Sequence, residues 1–210
     1  NLVSIGESAF NSTKISSFTV PASVTEIKDD AFASTSNLTS FTFEPRTETI
    51  KLGISVFGGS ALTSIVLPEG LCEITYDTES RGHLRTTFDS ASSLADIQNM
   101  PEHEKYAYEG GIFYEKNSEG VITIVDHAVL NNYDYVVPNT VVLVRSSAFY
   151  GCTGSTLKFE ANGTEDLVFE NAAFYNSRIT SVEFPARLKQ LGTTSPEQGM
   201  FYAAKTTSVT

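Results

Sequence analysis

The sequence predicts a repeat solenoid: a right-handed superhelix that is rich in β-structure, with short parallel strands and short helical turns. Two observations predict it. A small residue followed by Phe recurs along the chain, and an apolar pattern typical of a short strand follows most copies. One such unit cannot bury its own inner face, so units of this kind become stable by stacking on their neighbours. We therefore expect one solenoid domain over residues 1–210, with about seven to eight repeats and an incomplete repeat at each end.

The recurring Phe sets the repeat length. The copies that follow Ala or Val directly, and then the two looser copies, are Phe10, Phe32, Phe57, Phe149 and Phe174, followed by Phe88 and Phe201. Neighbouring copies are 22 to 31 residues apart, except for one spacing of 61 residues. Spacings of about 20–29 residues are typical of leucine-rich repeats, and the long spacing requires one extra unit. The segment Tyr133–Pro138 supplies that unit, because it repeats the strand and its closing Pro.

Most copies of the Phe are followed by an apolar triplet of the form φxxφxφ, where φ is an apolar residue. The clearest copies are Ile15/Phe18/Val20, Leu38/Phe41/Phe43, Leu62/Ile65/Leu67 and Ile179/Val182/Phe184. The last two apolar positions are two residues apart, so a strand places both side chains on one face. A Pro just after the strand then ends the pairing. A segment such as Val24–Ile27 should form a second short strand on the opposite wall, and Asp29–Phe32 a tight turn or a single helical turn.

These units resemble those of the BspA-type leucine-rich repeat family, in which a small-residue–Phe pair precedes a Leu-x-x-Ile-x-Ile-Pro strand. The best matches are Val24–Phe43, Ala61–Gly70 and Ser146–Phe159. The resemblance covers nearly the whole chain apart from residues 72–87 and 102–131. It implies a leucine-rich-repeat-type solenoid from a secreted or surface-exposed bacterial protein, or a similar protein of a mucosal protist, that adheres to host proteins or to other cells. The family offers no catalytic motif to transfer to this chain.

Charge and hydropathy argue against two classes of partner. The chain carries 25 acidic and 14 basic residues, which gives a formal net charge of −11. A field of this sign opposes binding to nucleic acid and to anionic membrane surfaces. No apolar run reaches about 18 residues, so we expect no membrane insertion by this segment. The chain starts without Met or a signal peptide and ends inside a repeat, so we expect it to be part of a longer protein, or a terminal edge to pair with another molecule.

The strand register predicts which side chains face outward from the strand-lined wall. Val66 and Val136 occupy outward positions, and the polar residues that we expect to form a binding surface are Ser17, Thr19, Ser40, Thr42, Ser64, Asp96, Gln98, Thr156, Lys158, Ser181 and Glu183. β-Branched Thr suits exposed strand positions, so a hydroxyl-rich face has a purely structural explanation. Its functional interpretation is a flat hydrogen-bonding platform for protein or glycan.

Two insertions interrupt the repeats, near residues 72–87 and 102–131. The second predicts a β-hairpin, with strands over Gly111–Tyr114 and Val121–Val125 and a loop over residues 115–120. Tyr106 and Tyr108 precede this hairpin, and exposed Tyr side chains suit recognition because they offer a large contact area at a low entropic cost. We therefore include both tyrosines in the candidate binding surface. The alternative is that their rings only cap the edge of the solenoid where the regular repeat is interrupted.

No arrangement of residues in the sequence indicates catalysis or metal binding, and we expect no cofactor. The chain has three histidines, none of them in a catalytic or zinc-binding motif: His83, His103 and His127. Asp77 and Glu79 lack the Gly-centred loop of a calcium site. Cys72 and Cys152 lie in different repeats and are expected to be free thiols, with Cys152 packed in the core.

Three classes of function follow, in order of preference. The sequence favours a non-catalytic extracellular or cell-surface module that binds protein or glycan on host or other cells. The alternative is a structural spacer that displays another module, and an enzyme is the least favoured class. A spacer would show no saturable binding of its own, so a binding measurement separates the first two hypotheses.

Overall fold

The computed structural model describes residues 1–77, 85–128, 134–192, 200–201 and 203–210, except for the side chains of residues 126 and 127. These residues form two compact units, Asn1–Pro101 and Glu102–Thr210. In each unit the chain winds through front and rear strands, most of which pair in parallel with the strands of adjacent turns. Glu79, His83 and Tyr133, which the sequence analysis singled out, lie outside the described residues.

The strands of the first unit are short and lie in two walls. In chain order they are β1 (Ser4–Ile5), β2 (Ser17–Val20), β3 (Glu26–Ile27), β4 (Ser40–Phe43), β5 (Ile50–Leu52), β6 (Ser64–Val66), β7 (Cys72–Ile74), β8 (Tyr76–Asp77), β9 (Arg85–Thr86) and β10 (Asp96–Gln98). The rear sheet has the order β1-β3-β5-β7 and is parallel throughout. At the front, β2 pairs with β4 and β6 pairs with β10, both in parallel. β8 and β9 form a small antiparallel pair within the first insertion.

The second unit repeats this plan and adds an antiparallel hairpin. Its strands are β11 (Tyr106–Glu109), β12 (Ile112–Lys116), β13 (Ile122–Ala128), β14 (Tyr135–Val137), β15 (Leu143–Val144), β16 (Thr153–Phe159), β17 (Leu167–Phe169), β18 (Arg178–Glu183), β19 (Leu188–Leu191) and β20 (Ser208–Val209). The front sheet β14-β16-β18-β20 is parallel. The rear sheet has the order β11-β12-β13-β15-β17-β19, in which the pairs up to β13 are antiparallel and the later pairs are parallel.

The recurring Phe side chains stack on their equivalents in adjacent turns of both units, except that Phe41 lies edge-on between Phe32 and Phe57. The rings of Phe10 and Phe32 stack with centroids 4.9 Å apart and an interplanar angle of 8°. In the second unit, Phe174 stacks on Phe149 at 5.3 Å and on Phe201 at 4.8 Å. Burying one such side chain is worth about 1.5–3 kcal/mol, so the in-phase repetition of the ring supplies much of the core.

The turns that carry these Phe residues are not helical, which corrects the expected short helical turns. Among the described residues no helix is present. The backbone has positive φ two residues before and two residues after Phe32, at Asp30 (55°) and Ser34 (56°). Left-handed residues interrupt a right-handed helix. The Phe32 amide therefore donates to the Val56 carbonyl of the adjacent turn at 3.0 Å rather than to its own turn, so the turns also hydrogen-bond to one another.

The predicted hairpin in the second insertion is present, and it contributes more than a loop. β12 and β13 pair antiparallel, as expected from Gly111–Tyr114 and Val121–Val125. β13 then pairs in parallel with β15, so the second strand of the hairpin is also the rear strand of a solenoid turn. The sequence analysis missed β11, which extends the hairpin to three strands. A bifurcated contact joins the hairpin to the next turn, because Glu115 Oε1 accepts from Arg145 Nε at 2.9 Å and from Nη2 at 2.7 Å.

We expect Phe32→Ala to lower the free energy of unfolding by about 3–5 kcal/mol, because the ring is fully buried and its removal leaves a cavity. Phe32→Leu should cost less, since it keeps most of the apolar volume. Urea unfolding curves with an unchanged slope give both values. A loss below about 1 kcal/mol for the Ala variant would contradict the stacked Phe core.

We expect Ser34→Gly to stabilise the protein by up to about 1 kcal/mol, because Gly adopts positive φ without the steric cost that Ser carries. Gly59 already occupies the equivalent position of the next turn, with φ 66°. Ser36→Gly is the matched control, since Ser36 is also exposed but has negative φ, and there Gly should destabilise. Thermal and urea unfolding measure both changes. Equal effects of the two substitutions would contradict the turn geometry.

Candidate functional site

The front strands of the first unit present the hydroxyl-rich face that the sequence predicts. Ser17 and Thr19 of β2 lie beside Ser40 and Thr42 of β4, and all four side chains are exposed. Ser64 is exposed at the start of β6. The Oγ1 atoms of Thr19 and Thr42 are 3.0 Å apart and hydrogen-bonded to each other. This hydrogen bond orders the face and leaves further hydroxyl lone pairs for a ligand.

β10 ends the front wall of the first unit with a more polar pair. Asp96 and Gln98 are exposed on either side of the buried Ile97. Gln98 Nε2 donates to Asp96 Oδ2 at 2.6 Å, so the amide and the carboxylate form one hydrogen-bonded group on the surface. Both residues therefore face outward, as the register predicts.

The front face of the second unit is charged rather than hydroxyl-rich. Lys158 of β16 and Glu183 of β18 form an ion pair, with 2.9 Å between Nζ and Oε1, and about half of each side chain is exposed. The sequence predicts that Thr156 and Ser181 face outward, but in the structure both side chains are half-buried. Asp134 Oδ1 accepts from the Ser155 amide at 3.2 Å and from the Thr156 amide at 2.9 Å. A carboxylate side chain thus binds two backbone amides of β16, just before β14 begins.

Two valines add apolar surface to the two front faces. Val66 in β6 is 52% exposed and Val136 in β14 is 54% exposed. Both lie at outward positions between buried neighbours. Exposed valines scattered singly are normal in soluble proteins, so their meaning depends on their surroundings.

Val66 lies on a groove of about 610 Å³ in the front wall of the first unit, which we call the front groove. Thr39–Arg46 and Ser64–Glu69 line it, with Leu71. The groove follows the line between β4 and β6. Its volume lies within the range of about 300–1,000 Å³ typical of ligand sites.

The two tyrosines that precede the hairpin pack against neighbouring aromatic rings. Tyr106 and Tyr108 are both half-buried. The ring of Tyr106 stacks on His103 with centroids 5.0 Å apart, and the ring of Tyr108 packs on Phe113 at 5.1 Å. Burial lowers the pKa of His103, which favours a neutral ring in this stack. These contacts account for the two tyrosines as part of the β11–β12 edge, and their role in binding stays a prediction.

The comparisons with known proteins identify the repeat. The family model described as BspA type leucine rich repeat region matches six copies over residues 1–79 and 127–209, which is well over half of the chain. The chain belongs to this family. A comparison with curated protein sequences gave no significant match.

Two crystal structures of bacterial proteins share the fold of this BspA-type chain. One is a leucine-rich repeat protein from Eubacterium ventriosum, with 22% sequence identity and a TM-score of 0.55, over 99% of this chain and 57% of that one. The other is the pneumococcal vaccine antigen PcpA, with 17% identity and a TM-score of 0.53, over 91% of this chain and 50% of that one. The chain therefore spans about half the length of these proteins. At these identities the likeness shows the fold alone.

Neither cysteine of these BspA-type repeats has the environment of a nucleophile. Cys72 and Cys152 are free thiols and both are buried. Burial raises the pKa of each from its ordinary value of 9.0 to about 12, since a thiolate would lose its hydration. Among the described residues, no group of three or more His, Cys, Asp or Glu side chains could hold a metal ion. The described residues also contain no helix with the length and hydropathy that a membrane crossing needs.

The sequence analysis did not find the front groove. It treated each strand face as a row of outward side chains, and a groove between strands depends on whether those strands pair. One signal was available: Pro68 follows β6 directly and has no amide hydrogen to donate to a neighbouring strand.

We expect Cys152→Ala to remove part of the loss of stability at alkaline pH. An unfolded thiol ionises near pH 9, whereas the buried thiol stays protonated up to about pH 12. The stability from this raised pKa is therefore complete below about pH 9 and is lost as the pH rises toward 12. Urea unfolding at about pH 8 and about pH 10.5 should show that wild type loses more stability than the variant over this interval. Equal losses would contradict the buried thiol.

Proposed function

We propose that this chain is a non-catalytic binding module of a secreted or cell-surface bacterial protein, and that it recognises protein or glycan on host or other cells. One observation carries the proposal. The front strands of both units expose side chains in strand register, including Ser40 and Thr42 in the first unit and Lys158 and Glu183 in the second. A row of outward side chains on a rigid wall can contact an extended partner surface without rearrangement.

The family and its structural neighbours support an exposed location. BspA-type repeats match most of the chain, and one protein of similar fold is described as a vaccine antigen. The formal net charge of −11 favours partners with a basic surface, because complementary charge raises the rate of association.

A structural spacer is the second candidate. The solenoid repeat favours it, since stacked turns make a regular element that can display another module. Binding measurements separate the two functions. A spacer shows no saturable binding of its own, whereas a binding module retains its affinity when it is isolated from the rest of its protein.

We expect Ser40→Arg to weaken binding of the purified chain at least about tenfold, because a long cationic side chain projects from the centre of the front face. The measurement is an array of glycans and matrix proteins, followed by titration of the ligand that binds. Thr25→Arg is the matched control, since Thr25 is exposed beside the rear strand β3 and receives the same charge. Equal losses in the two variants would contradict a front-face site, and an array without any saturable ligand would favour the spacer.

A further inference from the structure

The front wall of the first unit is interrupted where its rear wall is continuous. Within residues 1–77, all of which are described, the rear strands β3 and β5 pair in register, and so do β5 and β7. The front strands of the same turns do not pair: among the described residues, β4 pairs only with β2 and β6 pairs only with β10. The front groove lies along this interruption.

The hydrogen bonds that do form show which backbone groups of β4 face the groove. The Ser40 amide donates to the Ser16 carbonyl at 3.3 Å, and the Glu44 amide donates to the Val20 carbonyl at 3.0 Å. In a parallel ladder, alternate residues of a strand direct their amide and carbonyl groups to opposite sides. The even-numbered residues of β4 hydrogen-bond to β2. The amide and carbonyl groups of the odd-numbered residues Phe41 and Phe43 therefore point toward β6.

The same argument applies to β6 from the other side. The Thr63 carbonyl accepts from the Asp96 amide at 3.2 Å, and the Leu67 amide donates to the Gln98 carbonyl at 3.1 Å. The odd-numbered residues from Thr63 to Leu67 therefore hydrogen-bond to β10. The amide and carbonyl groups of Ser64 and Val66 point toward β4, so both walls of the groove present strand hydrogen-bonding groups.

Pro68 gives a physical reason for the interruption. In the preceding turn, the residue just after β4 is Glu44, and its amide closes the ladder to Val20. The equivalent position after β6 is occupied by Pro68, which has no amide hydrogen. One ladder bond to Phe43 is therefore impossible, and the proline ring also lines the groove.

The side chains around the groove are apolar at the centre and acidic at the rim. Val66 is 52% exposed and Phe43 is half-buried, and both line the groove. Glu44 and Glu69 are exposed at its end. Arg46 lies over the Phe43 ring, with 5.5 Å from its guanidinium carbon to the ring centroid, and its Nη1 donates to the Val24 carbonyl at 2.9 Å. The cation of Arg46 is thus engaged within the protein. Glu44 Oε2 accepts from the Ala22 amide at 2.9 Å, and the side chains of Glu44 and Glu69 are both exposed.

We propose that the front groove binds an extended, basic peptide segment of a protein ligand through hydrogen bonds to the backbone groups of β4 and β6 that face the groove. This inference rests on the proposed binding function and names the ligand class. Groups that alternate as donors and acceptors at the strand repeat match the backbone of an extended chain, and glycan hydroxyls have no such fixed alternation. An apolar ligand side chain packs on Phe43 and Val66, and a Lys or Arg lies at Glu44 and Glu69.

The first test uses the free protein and measures amide hydrogen exchange by NMR. The amides of Phe43 and Val66 should exchange faster than those of Thr42 and Ile65, which are bonded within the pairs β2–β4 and β6–β10. All four residues lie in the same front wall, so a difference of at least about tenfold reports the groove rather than global opening. Protection of Phe43 and Val66 equal to that of Thr42 and Ile65 would show a closed front wall and overturn the proposal.

The second test measures binding of a defined probe. A library of N-acetylated heptapeptide amides is screened against the purified chain, and the peptides that bind are resynthesised with alternate backbone nitrogens methylated. We expect the selected sequences to alternate apolar residues and to include Lys or Arg, and we expect N-methylation to weaken binding at least about tenfold. Selected peptides that tolerate methylation at every position, or a library without any binding peptide, would overturn the groove assignment.

Two matched substitutions locate the peptide. Val66→Lys should weaken binding of the selected peptides at least about tenfold, because it adds a like charge beside the basic peptide. Val136→Lys, at an equally exposed outward valine of the second unit, should leave binding within about twofold. Equal effects of both substitutions would overturn the assignment to the groove. The proposed function would survive that result if the array still gave a ligand sensitive to Ser40→Arg, so the two failures are distinguishable.

Discussion

The structure of each unit depends on the in-phase stacking of equivalent side chains from successive turns. A single turn exposes more apolar surface than it buries, so a turn is stable only against its neighbours. The ring of Phe174 illustrates the constraint, because it contacts Phe149 of one adjacent turn and Phe201 of the other. A repeat that carries this Phe must therefore place it at the same position relative to its strands, whatever the length of the loops between them. That requirement explains why the Phe is recognisable when the intervening sequence is not.

The sequence predicted the features that stacking fixes. The front strands β2 and β4, the buried Phe residues and the hairpin of β12 and β13 follow from apolar spacing alone, since a repeated pattern has one arrangement that buries every copy. It did not predict the form of the Phe turns. Asp30 and Ser34 have positive φ, and neither residue type requires that conformation, so the turn was open to a helical interpretation. Stacking determines that the turn is not helical, because it directs the Phe32 amide to a carbonyl of the adjacent turn.

The candidate site was predictable only as a set of outward side chains. Ser40 and Thr42 face outward because successive side chains of β4 point to opposite faces, and this alternation can be predicted from the sequence. The front groove cannot be predicted in this way. It arises because β4 and β6 do not pair, while the rear strands of the same turns do. Thr156 and Ser181 show the converse. They fit the outward pattern, yet both side chains are half-buried in the structure.

The rear and front walls of each unit have different structural roles. The rear strands and the Phe ladders hold adjacent turns in register through parallel pairing and ring stacking. The front strands meet the same requirement with their inward residues, so their outward residues are free to differ between turns. The hydroxyls of the first unit, the ion pair of the second and the interruption at Pro68 are three such differences. Variation in the outward residues of the front wall is therefore compatible with a constant core.

A double-mutant cycle on the Phe ladder tests the in-phase stacking most directly. Phe149 and Phe174 are stacked neighbours, whereas Phe149 and Phe201 are separated by one turn. Urea unfolding of the single and double Leu variants should give a coupling of about 0.5–1.5 kcal/mol for the neighbours. For the separated pair the coupling should lie within about 0.5 kcal/mol of zero. Equal coupling in the two pairs, or none in the neighbours, would contradict a core built from rings that stack turn by turn.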